Sequence, residues 1–109
     1  MMTEKIHIAV LDDHTLFRSG LAKLMNEFDE LEVCFQASNG IAFQEQINRF
    51  PQVQLVLMDI NMPVMDGYQT TKWIKIHQPH IHVLALSMYE DEKAIIDMLK
   101  SGAGGYLLK

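Results

Sequence analysis

The chain has 109 residues, the length of one domain. Its net charge of −5 sets it against non-specific binding to nucleic acid or to an anionic membrane. A single cysteine, Cys34, excludes an intrachain disulfide, and no run reaches the ~18 apolar residues of a membrane span.

Short apolar runs of strand length alternate with segments of helical period. Ile6 to Leu11 (IHIAVL) predicts a first strand. Leu16, Phe17, Leu21, Leu24, Met25 and Phe28 then share one face at a 3.6-residue period, with Asp13 or Thr15 as the cap of that helix. Leu31 to Ala37 predicts a second strand, ending in Ser38 and Asn39, which carry no chemistry. Phe43, Ile47 and Phe50 mark a second helix that Pro51 stops. Leu55 to Met58 is the third strand, followed by a helix marked by Tyr68, Thr71 and Ile74 that ends before Pro79. His82 to Leu86 is the fourth strand. Ala94, Ile95, Met98 and Leu99 mark a fourth helix, with Gly102 as its C-terminal stop, and Gly105 to Leu108 is the fifth strand. Strands apolar on both faces, alternating with helices, imply an α/β fold with a parallel sheet covered on both sides.

Such sheets bind ligands at the carboxyl ends of their strands. Strand one ends in Asp12-Asp13, strand three in Asp59, strand four in Ser87 and strand five in Lys109. Three clustered carboxylates favour a hard divalent cation, and Mg²⁺ takes oxygen ligands while keeping waters to share with a phosphate. A carboxylate can attack phosphorus to give an acyl phosphate. A hydroxyl, an ammonium and Mg²⁺ would neutralise the transferred group. Asp59, on the central strand, is then the nucleophile, Asp12 and Asp13 hold the metal, and Ser87 and Lys109 bind the phosphoryl oxygens.

VLDDH (10–14), LMDINMPVMDG (57–67), LALS (84–87) and GAGGYLLK (102–109) together resemble the receiver domain of two-component response regulators, over about Lys5 to Lys109. DDHTLFRSGL (12–21) resembles the LuxR/NarL-type subfamily in particular. The resemblance implies a flavodoxin-like doubly wound five-stranded parallel sheet in the order 2-1-3-4-5. It implies Asp59 as phosphoacceptor, Asp13 and Asp59 as direct Mg²⁺ ligands, Asp12 as a ligand through water, and the Asn61 backbone carbonyl completing the set. Ser87 and Tyr106 become a switch pair, the hydroxyl moving to the phosphate and the ring following inward. The implied partners are a sensor histidine kinase, a second copy on phosphorylation, and DNA through a C-terminal domain outside this chain. No membrane partner is expected, and the location is cytoplasmic. Such a domain is not a turnover enzyme, since it catalyses only its own phosphorylation and dephosphorylation. The family continues into a fifth helix after strand five. This chain stops at Lys109, so a C-terminally truncated receiver is expected.

Other readings stand beside this one. A stand-alone receiver would act through protein contacts. A flavin module of the same fold would need a hydroxyl- and glycine-rich loop where Asp12-Asp13 stands. An aspartyl phosphatase needs a second acid two residues after its nucleophile, where this chain has Asn61. His14 lacks a second histidine at ligand spacing and is read as a non-ligand. His7 and His82 are read as packed strand residues and Cys34 as a small core residue. Met88 and Tyr89 line the site's rim or face a partner, and Glu90 to Glu92 open a solvated helix start.

Overall fold

The computed structural model describes residues 4–87 and 92–109. Along them run β1 (Ile6–Leu11), α1 (Thr15–Asn26), β2 (Leu31–Ala37), α2 (Gly40–Ile47), β3 (Leu55–Asp59), α3 (Gly67–His77), β4 (His82–Ser87), α4 (Glu92–Ser101) and β5 (Gly105–Leu108). The strands pair in parallel in one sheet, ordered β2-β1-β3-β4-β5. Two strands run one residue further than their apolar runs, so Asp59 and Ser87 belong to the sheet itself. Met88, Tyr89, Glu90 and Asp91 lie outside the described residues.

Alternation along the strands divides the core. Ala9, Leu11, Val56, Met58, Val83 and Ala85 face Phe43 and Ile47 of α2, Ile74 of α3 and Met98 of α4. Ile8, Val10, Leu57 and Leu86 face Phe17, Leu21 and Met25 of α1. Both faces are apolar because both carry helices, and that explains why the strands read as continuous hydrophobic runs. On the α1 side an apolar hollow of about 400 Å³ extends past Phe17 and Leu21 to Leu84, Leu107 and Leu108.

Several local expectations are corrected. The buried arc of α1 is narrower than its apolar pattern: Leu16 is 90% exposed, and Leu24 and Phe28 are exposed too. Phe17, Leu21, Ala22 and Met25 centre the contact, which leaves Leu16 off the face and Leu24 on its margin, while Phe28 lies beyond the helix end. The N-cap of α1 is His14 rather than Asp13 or Thr15, and it makes no side-chain cap; Asp12 Oδ1 accepts from the His14 N–H at 2.8 Å. Asn39 does carry a role, since its Oδ1 caps α2 by accepting from the Ala42 N–H at 2.9 Å. His82 is exposed rather than packed.

The loop from β3 to α3 holds the sheet end in shape. Asp66 caps α3 in a reciprocal capping box with Gln69. Gly67 lies so close to β3 that a Cβ there would collide with the Asp59 carbonyl oxygen and press on Ile60 Cα. Asp66→Ala is expected to cost about 1 kcal/mol through the lost cap. Gly67→Ala is expected to cost about 1–3 kcal/mol, because backbone rather than a flexible side chain must yield. Urea denaturation of the two variants measures both.

Candidate functional site

The carboxyl ends of β1, β3 and β5 converge on one buried ammonium. Lys109 Nζ lies 2.8 Å from Asp12 Oδ2 and 3.3 Å from Asp59 Oδ1, and its side chain is only 4% exposed. Register sets it there, since the Lys109 N–H donates to the Ser87 carbonyl at 2.8 Å and carries the β4–β5 pairing one residue past β5. Phe17 of α1 roofs the ammonium, with Nζ 5.2 Å from the ring centroid.

Asp12 and Asp59 are both buried, whereas Asp13 is exposed beside them. The Asp12 N–H donates to Ala37 O at 3.1 Å, and Arg18 of α1 donates to the Asp12 carbonyl at 2.6 Å and to Gln36 Oε1 at 3.2 Å. Arg18 is thus a positioning residue, which the sequence motif held only as part of a subfamily pattern. His14 also enters the site: its Nδ1 is 3.0 Å from Asp12 Oδ1 and 3.1 Å from Lys109 Nζ. That nitrogen serves one neighbour at a time, donating to Asp12 when protonated and accepting from Lys109 when bare. Its place beside the acid pair was the available signal.

Ligand atoms from Asp12, Asp13, His14 and Asp59 all lie within 4.8 Å of one another. Asp12 Oδ2 meets Lys109 as an ion pair without a well-aligned hydrogen bond, and Asp59 Oδ2 is buried with no hydrogen-bond partner. A buried carboxylate oxygen left in this state is costly, and a divalent cation relieves it. The carboxylate oxygens here fit Mg²⁺.

The other sequence-designated residues sit around this cluster. Ser87 is buried at the end of β4. Tyr106, 48% exposed on β5, pairs with Ala85, two positions before the Ser87–Leu108 pair. Asn61 is exposed, two residues past Asp59. Beyond it the loop makes a γ-turn in which Met65 N–H donates to Pro63 O at 2.7 Å around Val64, whose φ is 70°. Positive φ at a β-branched residue is strained, and this turn form is the rarer one. Met65 O in turn accepts from the Gly40 N–H at 3.1 Å, tying the loop to the start of α2.

Residues 8–109 match the response regulator receiver domain family. The chain belongs to that family. Among curated relatives it is 38% identical to the transcriptional regulatory protein DegU of Brevibacillus brevis, over 96% of this chain and 44% of DegU. It is 41% identical to LnrK of Bacillus subtilis, over 95% of this chain and 47% of LnrK. Against the oxygen regulatory protein NreC of Staphylococcus epidermidis the identity is 36%, over 94% and 47%. The chain therefore spans about half the length of these relatives. Among solved structures, the signal receiver domain of NarL from Mycobacterium tuberculosis superposes with a TM-score of 0.88 at 31% identity, covering 96% of this chain and 84% of that one. The expected subfamily and the flavodoxin-like receiver fold are both borne out. No helix among the described residues is long and apolar enough to cross a membrane.

Burial pushes the Asp59 carboxyl of this receiver from its ordinary 3.8 up to about 6; the charge of Asp12 adds to the rise and Lys109 opposes it. An acid raised in this way holds its proton more tightly folded than unfolded. Its contribution to stability is present below the unfolded value and is lost as pH rises through about 6, by on the order of 2 kcal/mol in Mg²⁺-free buffer. Asp59→Asn is expected to remove that loss, so the variant gains on wild type between about pH 4 and pH 7. Urea denaturation across this range with a chelator present is the measurement, and a constant difference between the two proteins counts against the raised carboxyl.

Proposed function

We propose that this domain is a phosphorylation switch in which Asp59 accepts a phosphoryl group from a sensor kinase's phosphohistidine. The observation that carries the reading is the buried Asp59 carboxylate, held against one ammonium and beside two further acids. In the transfer, an Asp59 oxygen forms a bond to phosphorus as the phosphorus–imidazole nitrogen bond breaks. Hydrolysis later returns the carboxylate and releases inorganic phosphate. Asp13, Asp59 and the Asn61 carbonyl would hold Mg²⁺ directly and Asp12 through water. When bound, Mg²⁺ offsets negative charge on the carboxylates and the phosphoryl oxygens. Lys109 supplies a fixed positive charge to the same oxygens, and its buried position means that it needs little reorganisation.

Ser87 and Tyr106 would pass the change on: the hydroxyl turns to the phosphoryl group, and the half-exposed ring moves inward behind it. The domain acts on itself once per phosphorylation, so it is a switch and not a turnover enzyme. DNA binding would come from a further domain of the kind that the length and names of DegU and LnrK suggest. Homodimerisation on phosphorylation and a cytoplasmic setting complete the reading.

Incubation with acetyl phosphate and Mg²⁺ should add one phosphoryl group by intact-mass spectrometry. Asp59→Asn should show none, and uptake by that variant equal to wild type would overturn the assignment. Lys109→Ala should slow uptake by about a hundredfold, the scale of losing one preorganised electrostatic partner.

A further inference from the structure

A second cluster of ligand atoms lies at the other end of β1 and β2. His7 is the second residue of β1, and Glu32 is its register partner on β2. Cys34 follows two residues on, where alternation sets it on the side of Glu32. It is also the extra residue of a bulge: Ile8 pairs with Val33 and Ala9 with Phe35, which leaves Cys34 without a ladder partner.

The three side chains meet closely. His7 Nδ1 is 3.3 Å from Glu32 Oε1, Cys34 Sγ is 3.8 Å from His7 Nδ1, and Cys34 Sγ is 3.7 Å from Glu32 Oε1. Three ligands around tetrahedral Zn²⁺, with bonds of about 2.0 Å to nitrogen and oxygen and about 2.3 Å to sulfur, stand about 3.3–3.6 Å apart. The observed triangle needs adjustments of only a few tenths of an ångström. All three side chains are partly exposed, so an ion can reach them.

We propose that His7 Nδ1, Glu32 Oε1 and Cys34 Sγ form a Zn²⁺ site, with water as the fourth ligand, at the end of the sheet opposite Asp59. Nitrogen, carboxylate and sulfur together select a borderline-soft ion, whereas Mg²⁺ prefers the all-oxygen acids at the other end. About five residues of extended chain, roughly 16 Å, separate His7 from Asp12, so the two sites do not share ligands. Without metal, burial and the charge of Glu32 raise the Cys34 thiol, and its S–H donates to Glu32. On binding, Zn²⁺ takes the place of that proton, which passes to solvent. The ion would staple edge strand β2 to β1 across the bulge.

The experiment titrates the full chain with Zn²⁺ against a chromophoric chelator in a large excess of Mg²⁺, which competes for the acidic site. One equivalent should bind, and Cys34→Ser and His7→Gln should each weaken it by at least about tenfold. Co²⁺ in place of Zn²⁺ should give a thiolate-to-metal charge-transfer absorption in the wild-type protein that Cys34→Ser lacks. Ions held by Asp12, Asp13 or Asp59 cannot produce that absorption, since they touch no sulfur. Zinc affinity unchanged in Cys34→Ser, or a wild-type cobalt adduct without the sulfur band, overturns the site. The cobalt spectrum needs no variant, so the test holds even where a substitution harms folding.

Discussion

Two buried carboxylates of like charge, Asp12 and Asp59, share one buried ammonium on Lys109. Most features of the carboxyl edge follow from that arrangement. Removing acids from water penalises their charged forms, and packing them together adds repulsion. Lys109 offsets part of both costs and leaves Asp59 Oδ2 without a donor. The domain therefore holds an incompletely neutralised negative charge at a place where a cation would complete it. A surface cluster of the same acids would be screened by water and would have far less to gain.

The surrounding chain keeps that arrangement in register. Parallel pairing through β4 sets Leu107 level with Asp59, and Lys109, two residues further on, brings its Nζ within 3.3 Å of Asp59 Oδ1. The loop after β3 is drawn tight by the Asp66 cap, the close approach of Gly67 and the strained γ-turn at Val64, itself 82% exposed. Strain of this kind persists only where neighbours over-determine it, here the Gly40–Met65 hydrogen bond and the packed start of α3. The loop is thus held by a cap, a close backbone approach and a cross-loop hydrogen bond, while the Tyr106 side chain on β5 is half exposed.

The opposite end of the sheet uses a different logic. His7 of β1 meets Glu32 and Cys34 of the edge strand β2, where a bulge interrupts the ladder. Their donors are mixed rather than all oxygen, so the two ends of one small sheet would sort two cations by ligand softness. In the sequence His7 read as a packed strand residue and Cys34 as a small core residue, and Glu32 carried no reading. Neither their spacing nor any motif joined them, because His7 and Glu32 are brought together only by strand pairing across α1.

Strand positions were legible because both faces of a parallel sheet must be apolar, so each strand is a short continuous hydrophobic run that ends in a polar residue. Asp12, Asp59, Ser87 and Lys109 could be set on one edge for the same reason. The width of the buried arc on α1 was not legible, since periodicity fixes direction and not how far a helix overhangs its sheet; Leu16 and Leu24 are apolar yet exposed. His14 stood visibly beside the acid pair and Arg18 within a subfamily pattern, but their grip on Asp12 was not legible, because it depends on where α1 starts relative to the strand end. Local sequence determined the elements and the chemistry at their ends, through periodicity and residue type. Tertiary structure alone decided which groups share a charge, which atom is left without a partner, and which distant side chains meet, because those depend on register between strands that the chain joins only through its helices.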